Sequence, residues 1–154
     1  PTFKTSMQLG AGRLTRSHLK GDPFTAKSLK ALEEYIEDQI EPLARSLATF
    51  EKDVAAGTSK TYRTLAKLAQ NLHPKLGAHL TLDALDQLVP EIQGLDLDKR
   101  IELPGVSMER AHQLVAGSMV ARQLMRTLNL KEIRICPWAL REGIVLHRLD
   151  WIER

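Results

Sequence analysis

The stretch AAGTSKT, residues 55–61, sets a glycine and two hydroxyl side chains between a short apolar run and a helix-like run. These are parts from which an anion site is made. Gly57 lets the backbone approach a ligand, Thr58 and Ser59 carry hydroxyl donors, and the following helix opens with unpaired amides at its positive dipole end. The same residues have a plainer use, in which Thr58 or Ser59 caps the helix and Gly57 permits the turn. Local sequence alone favours that use. The spacing G-x-x-x-x-G-K-[ST] is absent, so a P-loop nucleoside triphosphatase is not supported.

Arg110 stands in the first turn of a helix after LPGVS, where a guanidinium can grip a phosphate in a bidentate manner beside the helix amides. A cation there opposes the helix dipole, which calls for an anionic neighbour. That neighbour is either a phosphate or a surface carboxylate such as Glu102, and the local sequence leaves both open. The remaining chemistry-bearing residues are scattered. His18, His73, His79, His112 and His147 show no H-x-x-x-H spacing and no cysteine partner, so no zinc site is expected. Cys136 precedes Pro137 at the end of an apolar run and reads as buried filler rather than a nucleophile. Arg141 and Glu142 are helix neighbours that point apart, which suits structural or interface use. No pair of carboxylates stands out as acid and base, and no Ser-His-Asp set can be assembled.

The elements that must position these residues follow from periodicity. Phe3, Met7 and Leu9 alternate as in a half-buried strand, AGRLTRSHL makes a short helix, and Gly21-Asp22-Pro23 is a turn. With Thr25 as N-cap, Leu29, Leu32, Ile36, Ile40, Leu43, Leu47 and Phe50 line a long helix, and Pro42 predicts a kink or break near Asp38–Glu41. KDVAA reads as a buried strand, and KTYRTLAKLAQNL as a helix with Tyr62, Leu65, Leu68 and Leu72 inward. HPKLGAHL reads as a loop leading to Thr81, the N-cap of LDALDQLVPEI, and GLDLDKRIELPG as a second connector. Ser107 caps a long helix with Ala111, Leu114, Val115, Ser118, Ala121, Met125 and Leu128 inward. Its small residues Ala111, Gly117, Ser118 and Ala121 admit a close neighbour. EIRIC alternates as a strand, and WALREGIVLHRL is amphipathic. Strands separated by helices predict an α/β domain with its last strands parallel. Three strands are few for so many helices, so part of the sheet is expected to be missing.

A chain of 154 residues that is 43% hydrophobic can bury a core of its own as a single domain, or as a piece of one. One cysteine makes no internal bridge, and no apolar run approaches the roughly 20 residues that cross a bilayer, so a cytoplasmic protein without a membrane partner is expected. The chain begins at Pro1, consistent with a processed or truncated start. Its charge of +3 is uneven. Residues 1–77 carry 12 Lys/Arg against 8 Asp/Glu, and residues 78–154 carry 10 against 11, so the positive excess accompanies the Gly-Thr-Ser turn.

Four segments, LGAGRLT at 9–15, GTSKTYRTLAKLA at 57–69, LPGVSMERA at 103–111 and PWALREGIVL at 137–146, occur in an order and spacing that spans nearly the whole chain. Together they resemble the exopolyphosphatase/guanosine pentaphosphate phosphohydrolase (Ppx/GppA) family, in the style of its short actinobacterial members. The resemblance implies an actin-like, ribonuclease H-like protein of two α/β domains with its active site in the cleft between them, of which this chain matches most of the second. It also implies that the catalytic glutamate, one phosphate loop and a D-x-G-G-G-S loop belong to polypeptide ahead of Pro1. A sheet order of 3-2-1-4-5 is implied as well, with residues 3–9 as the third strand and 52–56 as the fourth.

The implied activity is magnesium-dependent hydrolysis of the terminal phosphoanhydride of inorganic polyphosphate, or of the 5′-phosphate of guanosine pentaphosphate. This chain would supply one cleft wall and be inactive by itself. By resemblance, Gly57, Thr58, Ser59 and Lys60 form the phosphate-facing turn and Arg110 is a cleft-facing arginine, with Arg13 a weaker candidate. No catalytic residue and no metal ligand is assigned within the chain. Its sheet edges are expected to be covered by the missing first domain's polypeptide, by repacking or by a second copy in a homodimer. Two other classes stay open. A basic nucleic-acid-binding module would bind in a steeply salt-dependent, magnesium-independent way, although aromatic residues are only 5%. A dimerisation domain would use the small-residue face of the 108–128 helix together with Trp138 and Trp151.

Overall fold

The computed structural model describes residues 3–48, 50, 54–76 and 79–138, together with positions 143, 145 and 148. Among the described residues six named α-helices surround a small sheet. They are α1 (Ala11–His18), α2 (Ala26–Leu47), α3 (Lys60–Leu72), α4 (Leu82–Gln93), α5 (Leu97–Glu102) and α6 (Met108–Thr127), with a 3-10 turn at Pro74–Leu76. The strands are β1 (Ala56–Gly57), β2 (Leu80–Thr81) and β3 (Glu132–Ile135), in the order β1-β3-β2.

Capping explains where most helices begin. The Thr25, Ser59 and Thr81 hydroxyls accept the amides of Ser28, Tyr62 and Ala84 at 3.2, 3.2 and 3.1 Å, and Asp96 accepts that of Lys99 at 2.9 Å. Ser107 is the N-cap of α6 without a side-chain cap bond, and its carbonyl accepts the amides of Arg110 and Ala111. The expected inward face of α6 is buried throughout. Its middle, Leu114–Met119, is buried on every side because α1, α2, α3, α4 and α5 all pack on this helix. Gly117 shows why small residues are needed. A Cβ there would stand 2.7 Å from Thr61 Cγ2 and 3.4 Å from Ala11 Cβ, so the first turns of α1 and α3 close directly on α6. The small-residue face is thus consumed within the chain, which removes that support for a dimerisation surface.

β1 and β3 pair in parallel, with Ala56 opposite Arg134 and Gly57 opposite Ile135, as expected for the last strands. β2 adds an antiparallel edge to β3 that the loop-like HPKLGAHL did not suggest. α5 likewise lies inside what reads as a connector, started by Asp96. The expected strand over residues 3–9 is not formed. Phe3 is 40% exposed against Phe50, and no described strand offers these residues a ladder, without which period-two alternation makes no strand. Pro42 does not break α2, because Asp38, Glu41 and Pro42 are all exposed and the carbonyl that loses its donor lies on the solvent side. Leu72 and Phe50, expected inward, are both 39% exposed. Cys136 is half-buried rather than buried, and its amide donates to the Gly57 carbonyl at 2.9 Å. The C-terminal amphipathic segment, with Arg141 and Glu142, and Trp151 beyond it fall outside the described residues apart from Trp138, which is exposed, and the three single positions. No described helix is long and apolar enough to cross a membrane.

The three-stranded sheet and its helices form a mixed α/β domain. Two buried arginines lock its periphery. Arg100, 2% exposed, donates to Asp22 at 2.8 Å over the Phe24 ring, while the second Asp22 oxygen accepts the Leu97 amide at 3.0 Å. Burial pulls the Arg100 guanidinium below its usual range, and the charges of Asp22 and Asp96 oppose that shift. Arg122 pairs with Glu33 at 3.1 Å.

Candidate anion-binding groove

α3 leaves the carboxyl end of β1 with Ser59 as its cap, and Lys60, Arg63, Thr64 and Lys67 then recur at three- and four-residue intervals on one face. Across from them, the turn at Gly105 and the first turn of α6 bring Ser107 and Arg110 to the same place. The two walls enclose a groove of about 260 Å³ lined by Lys60, Arg63, Thr64, Lys67, Gly105, Ser107 and Arg110. Arg110 also borders a smaller cleft with Thr61, Thr64, Gln113 and Leu114. Gly105 holds φ at +77°, a conformation glycine adopts without a Cβ clash, and an added Cβ would lie 3.7 Å from Lys67 Cδ. The lysine stem therefore lies directly against this turn.

Charge sets the groove apart. Among the described residues four cations line it and no carboxylate does. Other arginines of the chain have partners: Arg45 with Glu41, Arg100 with Asp22, Arg122 with Glu33, and Arg126 with Asp86. Among the described residues no ion pair or side-chain hydrogen bond engages Lys60, Arg63, Lys67 or Arg110, and Glu102 does not take Arg110. An array of cations facing one another without anions leaves a positive potential that a bound anion relieves. The described lining holds no carboxylate, so these residues do not suit a magnesium ion, which takes oxygen ligands. Among the described residues no group of three His, Cys, Asp or Glu is placed to hold a metal.

Of the residues singled out in the sequence, Lys60 and Arg110 come together here. Ser59 caps α3, and Thr58 is exposed just ahead of it. Gly57 is buried in β1, where a Cβ would meet Tyr62 Cγ at 2.9 Å and Ile133 Cγ2 at 3.0 Å, so close packing already accounts for a glycine there. Arg13 is exposed on α1 and hydrogen-bonded to the Gln8 side chain. Arg63, Thr64, Lys67, Gly105 and Ser107 were not singled out, although the spacing of Lys60, Arg63 and Lys67 in KTYRTLAK was a legible signal of one cationic strip. Burial raises the Tyr62 hydroxyl above its usual range on the other face of α3, where its ring packs against Gly57.

A second groove of about 260 Å³ lies at the amino ends of β1 and β3, lined by Val54, Ala55, Asn129, Leu130, Lys131, Glu132 and Arg134. It is the weaker candidate. Ligands of parallel α/β sheets gather at the carboxyl ends of strands, and Arg134 here already faces Glu132 at 3.9 Å.

Known proteins share both the sequence and the shape. The model of the Ppx/GppA phosphatase family matches residues 1–151. Exopolyphosphatase 1 of Mycobacterium tuberculosis is 41% identical over 155 residues, covering 97% of this chain and 45% of that protein. The guanosine-5'-triphosphate,3'-diphosphate pyrophosphatase of Photobacterium profundum is 22% identical over 146 residues, covering 95% of this chain and 29% of that protein. An exopolyphosphatase structure from Cytophaga hutchinsonii superposes with a TM-score of 0.81 at 22% identity, over 96% of this chain and half of that one. The Aquifex aeolicus Ppx/GppA family member gives 0.78 at 24% identity, over 94% and 48%. This chain thus spans less than half the length of the curated relatives it matches. With the family model covering almost every residue and a relative at 41% identity, the chain belongs to the Ppx/GppA phosphatase family.

Proposed function

We propose that this chain is most of the second domain of a phosphatase that removes terminal phosphate from inorganic polyphosphate or guanosine pentaphosphate, and that the groove between α3 and α6 is one wall of its phosphate cleft. The observation that carries this reading is the set of four cations, Lys60, Arg63, Lys67 and Arg110, that line one groove and have, among the described residues, neither an ion-pair partner nor a carboxylate beside them. Phosphoryl transfer asks little covalent chemistry of a protein and much positioning and charge stabilisation. Arg110 would grip phosphoryl oxygens with its planar fork, and Lys60, at the carboxyl end of β1, would offset the charge on the same group. Magnesium, when bound in the complete enzyme, would neutralise further phosphate charge. Its ligands, and the carboxylate that orients the attacking water, belong to the rest of that enzyme, so the 154-residue chain is inactive by itself.

The test is phosphate release from polyphosphate in magnesium buffer, comparing this chain, the longer protein with its first domain, and that protein carrying Arg110→Gln or Lys60→Gln. The reading expects release only from the longer protein, with Arg110→Gln costing about 100-fold or more, the scale of one lost transition-state donor. Release by the 154-residue chain, or a full rate in the Arg110→Gln enzyme, would overturn it. Magnesium-independent binding of RNA with a steep salt dependence would favour a nucleic-acid module instead.

A further inference from the structure

We infer that the groove holds a run of consecutive phosphates laid along α3, with Arg63 and Lys67 as the residues that select a long linear polyanion over a compact one. This rests on the groove being the phosphate wall. Lys60, Arg63 and Lys67 spread over seven residues of helix rise, about 10 Å, which is far more than one phosphoryl group needs. The cations are also ordered. Lys60 stands next to the carboxyl end of β1, and Lys67 lies two turns further along, where the Gly105 turn supports its stem. Between the cations the lining is short and neutral, from Thr64, Ser107 and Gly105, so a chain of phosphates meets no bulky side chain along the groove.

The same lining argues against a nucleotide filling the groove. Among the described residues its lining has no aromatic ring for a purine to stack on and no carboxylate to read a base edge, and the nearest amide side chain, Gln113, lies in the adjoining smaller cleft. A guanosine 5′-triphosphate 3′-diphosphate also divides its phosphates between two ribose positions, so its longest uninterrupted run is a triphosphate. A linear polyphosphate continues past it and reaches Lys67. Lys60 and Arg110 therefore act on whichever phosphate is held at the strand end, whereas Arg63 and Lys67 act only on the units behind it. Those two are positioning and specificity residues rather than catalytic ones.

The experiment is a titration of the 154-residue chain with tripolyphosphate, with a long-chain polyphosphate of defined length and with guanosine pentaphosphate, at low ionic strength where exposed charges are least screened. Wild-type protein is expected to bind the long chain more tightly per phosphate than tripolyphosphate. Arg63→Gln and Lys67→Gln should each remove about 3- to 10-fold of that advantage while leaving tripolyphosphate nearly unchanged, and Lys60→Gln should weaken both ligands alike. Arg63→Lys, which keeps the charge and most of the stem, should retain the length dependence and so separates charge from folding. Failure of all three ligands to bind would overturn the phosphate-wall reading itself. Binding without length dependence, equal weakening of both chain lengths by Arg63→Gln and Lys67→Gln, or guanosine pentaphosphate binding as tightly as the long chain would overturn this inference and leave that reading standing.

Discussion

Replacing Gly57 by alanine separates a glycine needed for packing from one needed for ligand approach. The new Cβ would lie 2.9 Å from Tyr62 Cγ, 3.0 Å from Tyr62 Cδ2 and 3.0 Å from Ile133 Cγ2. Comfortable carbon contacts begin near about 3.5 Å, so a ring of α3 and a methyl of β3 must both give by about half an ångström. Ile133 is 3% exposed and Tyr62 is half-buried, so neither has much room to yield. Overpacking of this kind costs about 1–3 kcal/mol, and the stiffer unfolded chain returns about 0.4–1 kcal/mol. The net loss is about 1–2 kcal/mol, which for a chain of this size lowers Tm by about 2–8 °C. Thermal unfolding followed by circular dichroism reads this directly. Gly94→Ala is the control, since its Cβ meets only carbonyls at 3.7 and 3.8 Å from a right-handed helical backbone, and its Tm should hold or rise slightly. An unchanged Tm for Gly57→Ala, with phosphate binding lost, would refute the packing argument and make Gly57 the point of ligand approach.

Other outcomes follow from the same contacts. Asp22→Ala strands the buried Arg100 guanidinium and frees the Leu97 amide; because Asp22 is 45% exposed, the loss is set at about 2–3 kcal/mol, below that of a fully buried pair, and is measured as a shift in urea midpoint. Ser59→Ala removes the acceptor of the Tyr62 amide and should cost about 1 kcal/mol in thermal unfolding, with polyphosphate affinity retained because Ser59 does not line the groove. Asp96 is held below its usual value of 3.8, first by the Lys99 amide and then by the Lys99 and Arg100 charges. A lowered carboxylate stabilises the fold above the unfolded value and loses that stabilisation as pH falls through the folded one, so wild type should weaken below about pH 4 more steeply than Asp96→Asn in paired urea titrations.

What was legible in the sequence is what short-range chemistry determines. Thr25, Thr81 and the pair Thr58-Ser59, of which Ser59 is the cap, announce their helices because a hydroxyl acceptor belongs one residue ahead of the first turn. The small residues of α6 announce close neighbours, and the parallel β1–β3 pair follows from strands separated by helices. Two-residue β2 was hidden because its partner β3 is distant in sequence, and residues 3–9 misled because alternation is necessary for a strand and a neighbouring edge is necessary too. The groove was half legible for a similar reason. Lys60 and Arg110 stand in recognisable contexts, whereas Arg63 and Lys67 look like a solvated helix face until the Gly105 turn and α6 close over them.

The central claim is that an anion binds between α3 and the first turn of α6, and backbone amide NMR of the labelled 154-residue chain during addition of a long-chain polyphosphate of defined length tests it most directly. Shifts concentrated at Lys60, Arg63, Thr64, Lys67, Gly105 and Arg110 are predicted. Shifts confined to Val54, Ala55 and Leu130–Arg134 at the opposite end of the strands, or no saturable shifts at all, would contradict it.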